Sequence, residues 1–205
     1  MKICLKSAFA ILLIITSANI HAQIRSGYMI GYNISTMTLQ ASGTDFESET
    51  MTGIHVGIIS EIPVKGNFDL RSGLIFSAKG SIFKIDTSEV TLSPIYIEVP
   101  VNLKYSIGSD MLKISVFAGP YFACGIGGNK ETGGELKKIS FGSGENDDLK
   151  IFDIGFNFGA GLIIKRLIIS AQYESGLLNL LPATTGDPEM KSKVIGISVT
   201  RYIRR

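Results

Sequence analysis

The stretch Ile95-Tyr96-Ile97-Glu98-Val99-Pro100-Val101-Asn102-Leu103-Lys104-Tyr105-Ser106-Ile107 sorts its residues by parity. Odd positions hold Ile, Val, Leu and Tyr; even positions hold Tyr96, Glu98, Pro100, Asn102, Lys104 and Ser106. Successive side chains of a strand point to opposite faces, so this is a strand with one apolar and one polar face. From Phe152 to Ile164 the same order returns, with Phe152, Ile154, Phe156, Phe158, Ala160, Leu162 and Ile164 set against Asp153, Gly155, Asn157, Gly159, Gly161 and Ile163.

Working outward, further stripes run through Phe68, Leu70, Leu74, Phe76, Ala78 and Ile82, through Ile114, Val116, Ala118, Phe122 and Ile126, and through Leu167, Ile169, Ala171 and Tyr173. Weaker ones run through Tyr28, Ile30, Tyr32 and Ile34, through Ile54, Val56, Ile58 and Ile62, and through Ile195, Ile197 and Val199. About eight strands are expected. Their connections alternate in length. Short ones lie at Val64-Lys65-Gly66-Asn67, Gly108-Ser109-Asp110 and Lys165-Arg166; long ones run from about Gln40 to Thr50, Lys84 to Thr91, Gly127 to Leu149 and Asn179 to Lys191. Outer-membrane barrels show this alternation, with short periplasmic turns and long outer loops.

The polar face decides between a soluble sandwich and a membrane barrel. Water-facing strands carry many Lys and Glu, whereas here that face is mostly Gly, Ser, Asn and Ala with scattered charges. Small polar residues suit a narrow lumen, and a closed barrel lets apolar side chains point into lipid because every backbone group is paired within it. The expected fold is therefore all-β: a single closed antiparallel transmembrane β-barrel with its lumen filled by side chains. Its polar network is expected to hold Glu61, Arg71, Lys79, Glu98, Lys104, Asp153, Gln172 and Glu174, with opposite charges paired between neighbouring strands because unpaired burial is costly. Trp is absent, so interfacial belts fall to Tyr28, Phe68, Tyr105, Phe122, Phe152 and Tyr173.

The chain has 205 residues, a net charge of +2 and a mean hydropathy of +0.28. No basic stripe accompanies that near-neutral balance, so nucleic acid is not an expected partner. Met1 to Ala22 reads as a signal peptide, with Lys2 and Lys6 ahead of an apolar core from Ala8 to Ile15 and cleavage expected near Ala22. Residues 23–205 then form the barrel domain, placed in the outer membrane of a Gram-negative cell with lipid as its surroundings.

The order of motifs resembles the outer-membrane β-barrel proteins of Bacteroidetes, the PorT-like or porin-family barrels. The carriers are Gly31-Tyr32-Asn33-Ile34-Ser35, Gly57 through Pro63, Leu70 through Gly80, Tyr96-Ile97-Glu98-Val99-Pro100-Val101, Phe117-Ala118-Gly119-Pro120-Tyr121 and Asn157-Phe158-Gly159-Ala160-Gly161. The resemblance implies an integral outer-membrane barrel, in a family defined by fold more than by activity. PorT itself serves a protein secretion system. The family commonly ends on an aromatic residue, whereas here Tyr202 is followed by Ile203-Arg204-Arg205.

No catalytic, cofactor or metal site is expected. His55 is the one histidine after Ala22 and points inward by parity, where a partnered structural role outweighs that of a base in a lipid-active enzyme. Glu145-Asn146-Asp147-Asp148 lacks the spacing of a calcium loop and reads as a solvated turn. The expected function is a structural or surface-interaction barrel whose outer loops, especially Gly127 to Leu149, meet protein partners. The alternatives are a part in a secretion or surface-assembly complex and a lipid-active enzyme using His55.

Overall fold

The computed structural model describes residues 24–41, 44–85, 88–109, 111–144, 146–182 and 188–203. The signal-peptide expectation for Met1 to Ala22, and those touching Asp110, Glu145, Arg204 and Arg205, fall outside these residues. Eleven strands occur in chain order: β1 (Arg25–Ala41), β2 (Thr44–Glu47), β3 (Glu49–Lys65), β4 (Phe68–Ala78), β5 (Ser81–Ile85), β6 (Ser88–Gly108), β7 (Leu112–Thr132), β8 (Glu135–Lys138), β9 (Phe152–Ile164), β10 (Leu167–Gly176) and β11 (Glu189–Tyr202).

Eight of them close a ring in the order β1-β11-β10-β9-β7-β6-β4-β3 and back to β1. The first and last strands are joined from Gly27↔Tyr202 to Gln40↔Glu189, and every pairing in the ring is antiparallel. The short strands β2, β5 and β8 are additions at the loop end, on β1, on β3 and β6, and on β7.

Closure turns the parity pattern inside out relative to a soluble protein. Tyr28 and Ile30 are 63% and 62% exposed, while His55 is 2%, Lys104 1% and Glu61 0%. In water the bare ring of Ile, Val, Leu and Phe would cost about 25 cal/mol per Å² of apolar surface; against hydrocarbon that cost vanishes. The turn end is tight. Gly66 and Lys165 take left-handed φ values of 59° and 54° in the β3–β4 and β9–β10 hairpins, as two-residue hairpin turns require.

The long connections hold more strand than the sequence shows. β6 and β7 are each 21 residues long, roughly twice what crosses a bilayer at the usual tilt. Between Ile95↔Gly127 and Tyr96↔Gly125 the register slips, leaving Ile126 as a bulge, and beyond it the two strands continue paired to Val90↔Thr132. The stretch expected as one loop from Gly127 to Leu149 is therefore the end of β7, the strand β8 and a compact return. Polar hairpin residues carry no apolar stripe, yet their backbone groups still pair.

Lipid exposure has a depth-dependent signature. Ile195 sits about 14 Å above Arg201 along the membrane normal, taking a rise of about 3.4 Å per residue and a tilt of about 45°. Ile195→Arg is expected to destabilise the barrel by about 2–4 kcal/mol and Leu167→Arg, the cross-strand neighbour of Arg201, by about 0–1 kcal/mol. Urea unfolding in lipid vesicles reads both; equal costs would contradict a lipid-facing wall.

Candidate functional site

The interior is the place where this sequence concentrates chemistry, and it is stacked in layers. At the turn end, Glu61 of β3 receives Lys104 Nζ of β6 at 2.7 and 2.8 Å, Arg25 of β1 at 3.4 Å and the Tyr202 hydroxyl of β11. Arg25 also reaches Asp69 at 2.6 Å. Beneath these side chains, Ile163, Ile168 and Tyr202 form a small apolar cluster. Arg71 is buried, with its guanidinium 4.0 Å from the Met29 sulfur and 4.4 Å from the Phe117 ring centre.

In the middle stands Lys79, whose Nζ is 2.9 Å from Glu98 and 2.9 Å from Glu174. It also lies 4.7 Å from the Tyr121 ring centre. Gln172 donates to Glu174 at 2.9 Å, and Asp153 accepts from Tyr121 and Ser192, each at 3.0 Å. Lys79 points inward by the same parity that buries Asp69, Arg71, Ile75 and Ser77, although β4 ends at Ala78. Gly80, next in line, has its backbone N–H and C=O each bonded at 2.8 Å to the Ser35 hydroxyl.

All eight residues of the expected network are in the lumen, and some pairs join neighbouring strands as expected: Arg25 of β1 meets Glu61 of β3, and Lys79, just past the end of β4, meets Glu98 of β6. Others reach further. Glu61 and Arg71 are cross-strand partners in register, yet the carboxylate of Glu61 takes Lys104 from one strand further on. Lys79 bridges β6 to β10 across the lumen. A narrow cylinder brings opposite walls within reach of long side chains, so a lysine can also find a carboxylate beyond the adjacent strand. Arg25, Asp69, Tyr121, Ser192 and Tyr202 are members that the sequence reading omitted. Parity alone places Asp69 with Arg71 and Tyr202 with Ser198, which was the available signal.

His55 is held by Asn33, whose Oδ1 is 2.7 Å from Nδ1, while Asn33 donates to Ser77 at 2.9 Å. Its ring lies over Gly31, where a Cβ would come within 2.3 Å of Nε2. No carboxylate or hydroxyl nucleophile bonds to this imidazole among the described residues. Asn33 orients the ring.

Above the polar layers the mouth is closed by an apolar plug of Met37, Leu92, Ile139, Leu149, Leu180 and Met190, with Phe141 edge-on to Tyr96 at 6.0 Å. The return after β8 thus folds into the barrel. Its acidic residues clamp their own turn: Asp147 accepts from the Ser140 hydroxyl at 2.7 Å and the Gly144 N–H at 2.9 Å, and Asp148 from Lys130 at 2.9 Å and the Ser140 N–H at 2.9 Å. The Ser140 hydroxyl, then the Gly144 N–H, hold Asp147 below the usual carboxylate range. A depressed pKa keeps the clamp intact at neutral pH and releases it only as the pH falls through that lowered value. Among the described residues no group of three or more His, Cys, Asp or Glu is arranged to hold a metal ion.

A closed ring of eight strands, apolar outside and ion-paired inside, defines an integral β-barrel of the outer-membrane class. The family model described as outer membrane protein beta-barrel domain matches residues 17–181, and the chain belongs to that family. Similar solved structures include Ail, the attachment invasion locus protein of Yersinia pestis, crystallised with the heparin analogue sucrose octasulfate, at 14% identity, covering 88% of this chain and 99% of that one, TM-score 0.45. Neisserial surface protein A is similar at 9% identity, 85% and 96% coverage and a TM-score of 0.43. The outer membrane enzyme PagL is similar at 10% identity, 82% and 98% coverage and a TM-score of 0.41. No match is found among curated proteins.

Proposed function

We propose that the protein is a non-enzymatic surface-interaction barrel, closed to solute passage, that docks an extended segment of a partner protein onto the projecting sheet at its loop end. One observation carries this reading. Beyond the bulge at Ile126, β5, β6, β7 and β8 continue as an antiparallel sheet at the loop end, tied to β3 through β5, and among the described residues β8 pairs with β7 alone. The outer edge of β8 therefore offers unpaired N–H and C=O groups, the template for an added strand. All of β8 is exposed, and Leu136 is 65% so, an apolar side chain between Glu135 and Lys137. Its charged neighbours discourage indiscriminate edge pairing while leaving the backbone template open.

The apolar plug and the crossed ion pairs below it support closure, since a solute path would have to part both. Site-specific photo-cross-linking in intact cells tests the docking reading. A photoreactive residue at Leu136 is expected to give a discrete adduct, and one at Val64, at the end of β3 beside a short turn, none. Adducts confined to Val64 would overturn the reading and favour the secretion or surface-assembly complex in which PorT, among the barrels this sequence resembles, takes part. A lipid-modifying activity lost in His55→Ala would overturn the non-enzymatic part.

A further inference from the structure

The ring's outer wall is not uniformly bulky. In register, Val116↔Ala160, Ala160↔Ala171 and Ala171↔Ile197 place two alanines side by side at the same height on β9 and β10. Ala118 sits beside Phe158 in the next row. The result is a groove of about 810 Å³, walled by the tilted ring pairs Phe68–Tyr105 and Phe158–Tyr173, whose ring centres are 5.0 and 5.4 Å apart. A second hollow of about 310 Å³ shares Ala160 and Ala171 with it and leads past Ile169 toward the β9–β10 turn.

We propose that this groove seats an acyl chain of an anionic phospholipid from the periplasmic leaflet, with its phosphate held by Lys165, Arg166 and Arg201. The proposal is independent of the docking role of β8. An empty hollow forfeits dispersion contacts on one side, and in a bilayer the filler at hand is a flexible hydrocarbon chain. Depth agrees. From Tyr173 to Arg166 the strand descends about 17 Å along the membrane normal at about 3.4 Å per residue and a tilt of about 45°, close to half of the roughly 30 Å hydrocarbon core.

Charge agrees as well. Lys165, Arg166 and Arg201 are exposed, and Arg201 is the cross-strand partner of Leu167, the first residue after the turn. The described carboxylates of this end, Glu61 and Asp69, are turned inward and ion-paired. A second copy of the chain is the poorer occupant, because a two-fold contact across this wall would bring the same cations of both copies together.

The absence of Trp in the chain permits a direct test. Tyr173→Trp, on the groove wall, and Ile54→Trp, on the far side of the ring, each give the full-length protein a single fluorophore in vesicles of mixed phospholipids. Brominated phosphatidylglycerol is expected to quench Tyr173→Trp at a local affinity roughly fivefold or more above brominated phosphatidylcholine, with no preference at Ile54→Trp. Lys165→Gln, Arg166→Gln and Arg201→Gln together should abolish the preference, and Ala171→Leu should weaken quenching by both lipids. A heat-modifiability gel confirms that each variant is folded. Equal quenching by the two lipids, a preference that survives charge removal, or a dimer that shields Tyr173→Trp from both would each overturn the proposal.

Discussion

Lys79→Met is expected to cost the folded barrel about 3–5 kcal/mol, because it removes the one cation standing between two buried carboxylates. Glu98 and Glu174 each lie 2.9 Å from Nζ and are almost wholly buried, so neither can recover solvation when the ammonium is lost. Methionine keeps most of the side-chain volume, which separates the charge effect from a cavity. Urea unfolding in detergent or vesicles, followed by the gel shift between folded and boiled protein, reads the change. The triple variant Lys79→Met with Glu98→Gln and Glu174→Gln should regain most of the loss, since two neutral amides in place of two carboxylates remove the unpaired charge. Glu98→Gln alone should cost less, about 1–2 kcal/mol, because the Lys79–Glu174 contact remains. A wild-type midpoint in Lys79→Met would show that water or another group already satisfies these carboxylates.

The same cluster marks where sequence reading stopped. Alternation between Ile95 and Ile107 settles which side chains face lipid, because a one-residue slip would send every one of them to the other face. Read along every strand, the same alternation yields the closed ring, and it puts Glu98, Lys104 and His55 inside. What it cannot yield is who meets whom across the lumen. Lys79 reaches Glu174 on β10 only because ring closure brings distant strands opposite each other, a relation with no signature in local spacing. The plug was illegible for a different reason: Ile139, Phe141, Leu149 and Leu180 are scattered through Gly-rich polar stretches, with no period to betray a buried side. Tyr173 differs in placement too. It leans against Phe158 near mid-height instead of joining an interfacial belt, beside the alanines that the stripes counted merely as apolar.

Glu61→Ala is the second change expected to act strongly, by about 3–5 kcal/mol, and it probes the seam of the barrel. Lys104 and Arg25 lose their shared carboxylate, and of the two Lys104 is left the more deeply buried. Asp69, opposite Lys104 in the β4–β6 register, is the anion left nearest to it, but at 2.6 Å it is already engaged by the Arg25 guanidinium. Glu61 also joins strands that are far apart in the chain. The Tyr202 hydroxyl donates to it from β11, so the last strand is tied to β3 and β6 as well as hydrogen-bonded to β1. Tyr202→Phe removes that donor alone and should cost about 1–3 kcal/mol, the penalty for an unmade buried hydrogen bond. The order of effects is the test. If Glu61 works as an electrostatic hub, Glu61→Ala exceeds Tyr202→Phe and Lys104→Met approaches Glu61→Ala, whereas similar small costs for all three would leave the seam to backbone pairing between β1 and β11.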